Sequence, residues 1–280
     1  MSKSSRSVVA KALLLGSLLL LHGSVWAQQH IDPADFLTVW SGMLPIILAA
    51  PHGGRVALPG VPPRRGVGVA QFAAQRDDNT AELAEAVAAK IDQRLGAKPF
   101  LVIAHFERKY LDGNRPESGA FESAAAKPYY RAYHRAIEAA AERIQSRWGE
   151  GLLLDIHGQG VEADAIFRGT DNGKSVVALQ QRHGKAALGG PQSILGQLAS
   201  QGYKILPDAA GDERERRYAG GYTTRTYGSH RGTGIDAIQL ELGSNLRSRR
   251  NLERTANDLA EAIANFARVF LTLNEMRANP

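Results

Sequence analysis

Two histidines and a glutamate carry the most legible chemistry in this chain. His52 and His157 each follow an apolar run and precede glycine, in Pro51-His52-Gly53-Gly54 and Asp155-Ile156-His157-Gly158. A neutral imidazole nitrogen suits a borderline cation such as zinc. A lone histidine is more often a satisfied core or surface residue, but the repeated placement at the end of two apolar runs points to a shared site. A catalytic zinc takes three protein ligands and keeps one position open. The third ligand is expected in Arg76-Asp77-Asp78-Asn79-Thr80, where one aspartate can bind while the other caps the helix that follows. Glu241 lies inside the apolar run AIQLEL, where a carboxylate is costly unless it is paired or associated with a metal. Next to an activated water it is the candidate general base.

Weaker signals surround these. Asn114-Arg115 follows Asp112, and the planar fork of Arg115 can bind a carboxylate or polarise a carbonyl. The stretch Tyr218–Thr224, which includes Gly221 and Tyr222, is rich in glycine and hydroxyls and can wrap a substrate. It does not follow a strand in the phosphate-cradling pattern, so a nucleotide site is rejected. His105 lacks a glycine flank and reads as structural, His134 as packing or support, and His183 and His230 as loop residues without a clear signal. The chain has no cysteine, which excludes thiol nucleophiles, cysteine-bound zinc and iron–sulfur clusters.

The elements that must position these residues alternate between strands and helices. Apolar runs at Pro45–Pro51, Phe100–Ala104, Leu152–Ile156 and Ile235–Leu242 read as strands. Spacings of three and four predict helices over Thr80–Leu95, Pro128–Trp148, Pro191–Ser200 and Asn251–Leu273. Asp78 or Asn79 can cap the first helix and Gly96 can end it. Strands separated by helices imply an α/β fold with one doubly wound, mostly parallel sheet flanked by helices. In such sheets ligands bind at the carboxyl ends of the strands, where both histidines and Glu241 fall. Arg168–Gly190 and Pro207–Gly234 read as long loops, which in compact domains are often functional.

The 280 residues are 44% hydrophobic and 22% charged, an ordinary globular composition. Lys3, Arg6 and Lys11 precede the apolar run Ala12–Leu21, followed by Val25-Trp26-Ala27, the pattern of a cleavable export signal over residues 1–27. The run is too short to span a bilayer, which takes about 20 residues. Cleavage removes three basic and no acidic residues, so the net charge of +6 becomes +3 for a single α/β domain over residues 28–280. That charge gives no case for a nucleic-acid or membrane partner; the expected partner is a small acyl-amino-acid or peptide substrate, in the periplasm or outside the cell.

Taken together and in order, these residues resemble the N-formylglutamate amidohydrolase family, which is related to the zinc carboxypeptidases. The matching pieces are Pro51-His52-Gly53-Gly54, Asp77 with Thr80 and Leu83, Asp112-Gly113-Asn114-Arg115, Asp155-Ile156-His157-Gly158, Gly220-Gly221-Tyr222 and Gln239-Leu240-Glu241. The resemblance implies a phosphorylase/hydrolase-like, zinc carboxypeptidase-like fold and one zinc ion. It makes His52 and His157 ligands with an acidic residue between them, and Glu241 the catalytic glutamate. Asn114 and Arg115 match the group that holds a substrate carboxylate. The wider carboxypeptidase group draws its acidic ligand from an H-x-x-E motif; here Arg55 stands at that position, and the spacing to Thr80 and Leu83 favours Asp77 over Asp78. Formylglutamate hydrolysis is a cytoplasmic step, whereas this chain carries an export signal. The expected substrate is therefore an N-acyl amino acid, a γ-glutamyl link or a short peptide. The alternatives are a zinc peptidase or carboxypeptidase, which needs the same centre, and a silent carboxylate- or metal-binding protein, against which the Glu241 carboxylate argues.

Overall fold

Seven strands pair into one sheet in a computed structural model that describes residues 32–209 and 213–273. The expected export signal, residues 1–27, lies outside the described residues. The strands are β1 (Leu37–Trp40), β2 (Ile46–Ala50), β3 (Phe100–Ala104), β4 (Gly151–Gln159), β5 (Ala165–Gly169), β6 (Lys204–Leu206) and β7 (Ile235–Gly243). Their order is β1-β3-β2-β4-β7-β5-β6. The β1–β3 and β7–β5 pairings are antiparallel and the rest are parallel, so the sheet is mixed but mostly parallel, as the alternation of elements predicts. The helices are α1 (Thr80–Leu95), α2 (Glu117–Ala120), α3 (Lys127–Trp148), α4 (Val177–His183), α5 (Ala186–Gly189), α6 (Ile194–Ser200), α7 (Tyr222–Tyr227) and α8 (Leu252–Phe270).

Two cores follow from the alternation of side chains along the strands. On one face, Leu83, Val87 and Ile91 of α1 and Leu259, Ile263 and Phe266 of α8 pack against Leu48, Leu154 and Leu240. On the other, Tyr133, Ile137 and Ile144 of α3 cover Ile47, Leu153 and Ala237. The chain leaves β2 through α1 toward β3, and leaves β4 toward β7 on the opposite side. β2 and β4 lie side by side, so the crevice beyond their carboxyl ends is the topological switch point of the sheet. His52 follows β2 and His157 lies in β4.

Several expectations are corrected. Strands β1, β5 and β6 were not expected: β2 and β3 are also short but wholly buried and apolar, whereas β1, β5 and β6 are only partly buried and carry Thr38, Arg168 and Lys204, so no unbroken apolar run marks them. The segment read as a loop over Arg168–Gly190 begins inside β5 and carries α4 and α5, and Pro207–Gly234 carries α7. Glycines at Gly173, Gly184 and Gly220, with positive φ, separate these short pieces and hide their periodicity. Pro191–Ser200 becomes helical only at Ile194, where the Ser193 side chain accepts from Gly196 N–H. The expected cap on α1 does not form: Asn79 sits in the left-handed region with no side-chain cap bond, its amide turned to Arg247 O at 2.9 Å. Gly96 ends that helix as expected, at φ +70°.

One buried carboxylate ties the returning segment to the sheet. Glu215 accepts from Arg168 Nε (2.8 Å), Thr170 N (2.7 Å), Thr170 Oγ1 (2.5 Å) and Asn172 N (2.9 Å). Both Arg168 and Glu215 are buried. Removing the carboxylate strands a buried guanidinium, so Glu215→Ala is expected to cost about 3–5 kcal/mol. Urea denaturation measures this; a loss below about 1 kcal/mol, the size typical of an exposed pair, would contradict the clamp.

Candidate active site

The carboxyl ends of β2, β4 and β7 bring together the residues that the motifs single out. His157 and Asp155 stand on one face of β4, two residues apart, and Glu241 and Gln239 on the same face of β7. The ladder pairs His157 with Glu241 and Asp155 with Gln239. His52 enters from the turn after β2. Gly53 in that turn lies so close to the start of α1 that a Cβ would sit 2.5 Å from Ala81 N. The glycine thus lets the histidine turn pack onto the helix that Asp77 precedes. Asp77 N–H donates to His52 O at 3.0 Å, and Gly158 N–H donates to Asp77 Oδ2 at 3.0 Å, so Asp77 ties the three segments together through its backbone and its side chain.

The side chains converge on one point. His52 Nδ1 lies 3.1 Å from His157 Nδ1 and 3.4 Å from Asp77 Oδ2, and His157 Nδ1 lies 3.3 Å from Asp77 Oδ2. All three residues are buried. Donors held at about 2.0 Å by a tetrahedral zinc stand about 3.3 Å apart, so these edges fit one cation with a fourth position left over. The outer nitrogens are committed elsewhere: His52 Nε2 pairs with Asp112 Oδ1 at 2.7 Å and His157 Nε2 with Asp155 Oδ2 at 2.9 Å. A proton on each Nε2 leaves each Nδ1 lone pair facing the shared point, the arrangement in which a carboxylate behind a histidine fixes its tautomer.

Electrostatics agree with this donor set. Burial acts to lower the His157 ring, but the charge and hydrogen bond of Asp155 and the hydrogen bond of Asp77 outweigh it and hold the ring well above its usual value. Burial acts to raise Asp77, but its bonds to His157 and His52 hold it below the ordinary carboxylate range. Asp112 is held low against its burial by His52, Arg108 and Arg115. Burial pushes the Glu241 carboxyl up, with Asp77 acting the same way, against the attraction of the two histidines. Glu241 Oε1 accepts from Gln239 Nε2 at 2.7 Å.

The remaining candidates frame the site. Asn114 Oδ1 accepts from Thr223 N–H at 2.8 Å, and Asn114 Nδ2 faces Gln239 Oε1 at 3.4 Å. Nδ2 also lies 3.0 Å from His157 Nε2. Gly221 N–H donates to Gln239 Oε1 at 2.6 Å, and Tyr222 opens α7 with its ring edge-on to His134. Arg115 is partly exposed, with its guanidinium on Gln71 O at 2.9 Å and 4.0 Å from Asp112 Oδ2. Asp78 stands apart, more than half exposed and paired with Arg76. His105 bonds Thr38 Oγ1 at 2.7 Å, and His134 bonds Tyr227 OH at 2.8 Å while burial lowers its ring to about 4. The motif reading assigned no role to Asp112 or Asp155, although Asp155-x-His157 in a strand places both side chains on one face. Arg108, which donates to Asp112 Oδ2 at 2.9 Å and faces Asp77 Oδ1 at 3.6 Å, was missed without any local signal.

The doubly wound sheet of this α/β protein thus carries at its switch point a buried His–Asp–His group that could hold a metal ion, beside the strand that bears Glu241. Residues 122–246 match the family model described as FGase, N-formylglutamate amidohydrolase. That segment holds His157, Gly221, Tyr222 and Glu241; His52, Asp77, Asn114 and Arg115 precede it. The fold is shared with the N-formylglutamate amidohydrolase of Ralstonia eutropha JMP134, at 18% identity and TM-score 0.57, covering 86% of this chain and 99% of that one. It is shared also with a gene product of Agrobacterium tumefaciens, at 15% identity and TM-score 0.58, covering 84% and 95%. No curated protein sequence gives a significant match. The family match supports a hydrolase acting on amide bonds.

If the outer carboxylates orient the histidines, Asp155→Asn weakens zinc binding by about 10- to 100-fold. A competition titration with a chromophoric chelator measures it, and unchanged affinity would contradict the role.

Proposed function

We propose that this protein is an exported zinc-dependent amidohydrolase that cleaves the amide of an N-acyl amino acid or glutamyl-type substrate bearing a free carboxylate. The observation that carries the reading is the triangle of His52 Nδ1, His157 Nδ1 and Asp77 Oδ2, with edges of 3.1, 3.3 and 3.4 Å, facing the strand that bears Glu241. The family match supports the amide bond as the target. The export signal read at residues 1–27 favours a substrate outside the cytoplasm over formylglutamate itself.

His52, Asp77 and His157 would hold the ion. Bound there, zinc lowers the pKa of a water to about 7 and polarises the scissile carbonyl. Every other role falls to side chains of this chain. Gln239 holds Oε1 of Glu241, so Oε2 is the atom that takes the proton of the attacking water and returns it to the leaving nitrogen. Burial of that carboxyl raises its proton affinity, which suits a base that must also give the proton back. Arg115, partly exposed at the rim, offers a fork for the substrate carboxylate. Asn114 ties the Arg115 turn to the start of α7, and Gly221 and Tyr222 border the same space.

Three outcomes are expected. Glu241→Gln retains zinc but loses about 100- to 10,000-fold in kcat, the usual contribution of a positioned base; undiminished turnover rules out the role. His157→Ala purifies without stoichiometric zinc, read by elemental analysis; one zinc per chain in that variant removes His157 from the ligand set. Arg115→Ala raises KM for an N-acyl amino acid more than for its methyl ester; an equal change for both dissociates Arg115 from the carboxylate.

A further inference from the structure

Arg247 lies after β7, outside every motif that pointed to the site, and its side chain is buried. Its three hydrogen bonds all run to backbone carbonyls, and each carbonyl belongs to a different segment of the site. Nε donates to Leu242 O at 3.2 Å, next to Glu241 on β7. Nη2 donates to Gln159 O at 3.3 Å, two residues beyond His157 on β4. Nη1 donates to Asp78 O, the residue after Asp77. The contact is mutual, because Asn79 Nδ2 donates back to Arg247 O at 2.9 Å. A planar fork with five N–H donors is the side chain able to join three carbonyls in this way; lysine, a point charge, is not.

The ligand strand makes room for it. A Cβ on Gly158 would sit 2.4 Å from Arg247 Nε and 2.6 Å from Cζ, so a side chain there excludes the guanidinium from its position. The same Gly158 donates its N–H to Asp77 Oδ2. Gly158 therefore serves both sides of one joint, with Asp77 bonded to its nitrogen and Arg247 lying against its Cα.

We propose that Arg247 is a positioning residue of the metal centre: its guanidinium staples the segments carrying Asp77, His157 and Glu241 at the spacing a single cation requires. The inference rests on the metal reading above and adds a residue that touches none of the ligand atoms. Loss of the staple leaves the donors in place but no longer held together, so the cost falls on cation affinity and on kcat rather than on KM.

The test compares zinc dissociation constants, measured by chelator competition on the full chain, with apo-protein melting temperatures for Arg247→Met, Arg247→Lys and Gly158→Ala. Arg182→Met is the control. Arg182 pairs with Asp236 at 2.8 Å and Glu150 at 2.8 Å, and Asp236 is near the opposite end of β7. Arg247→Met and Gly158→Ala are expected to weaken zinc binding at least tenfold, and Arg182→Met to leave it within twofold whatever its melting temperature. Should Arg247→Met fail to fold, Arg247→Lys, which keeps the charge and can reach one carbonyl, is expected to fold and still lose at least fivefold. Folded Arg247 variants with zinc affinity within twofold of the parent overturn the staple while leaving the metal reading intact. A parent protein that takes up no zinc overturns both.

Discussion

Three lone pairs aimed at one buried point form the constraint on which the rest of the site depends. His52 Nδ1, His157 Nδ1 and Asp77 Oδ2 stand within 3.4 Å of one another, and Asp112 and Asp155 turn the outer faces of both rings into donors. Acceptors so close in a dry setting repel unless positive charge lies between them. The charge and hydrogen bond of Asp155 and the hydrogen bond of Asp77 favour the protonated form of the His157 ring against its burial. A divalent cation held between the three donors would meet the same need with more charge.

The fold supplies the rigidity this arrangement needs. Parallel pairing of β2, β4 and β7 fixes the heights of His52, His157 and Glu241 relative to one another, and the His157–Glu241 register sets base against ligand without help from any loop. Asp77 is the exception. It comes from the turn before α1 and is held by backbone bonds to His52 and Gly158 rather than by a ladder. The staple attributed to Arg247 acts at this weakest point, joining the Asp77 turn to the two strands through carbonyls.

Much of this was legible in the sequence because it rests on local pattern. Apolar runs, two of them followed by histidine and one holding a glutamate, located four of the seven strands and three of the site residues. The β-strand period alone could have paired Asp155 with His157. What the sequence hid depends on contacts between distant segments. The resemblance had favoured Asp77 over Asp78, but not the physical reason: Asp78 is exposed against Arg76, while Asp77 reaches both histidines. Arg108 meets Asp112 four residues on, across turn residues where no period can be counted, and Asp77 from far away in the chain, while Arg247 acts on backbone carbonyls; neither leaves a trace in composition or spacing. Helices α4, α5 and α7 were read as parts of loops because glycines interrupt them before a period can be counted.

The account stands most directly on metal content measured together with turnover. The chain from Gln28 onward is purified, its zinc determined by elemental analysis before and after chelation, and hydrolysis of an N-acyl amino acid panel assayed on each sample. About one zinc per chain, with hydrolysis that falls on chelation and returns when zinc is restored, is the predicted result. A protein that takes up no metal when zinc is offered, or one whose hydrolysis is unaffected by its removal, would contradict it.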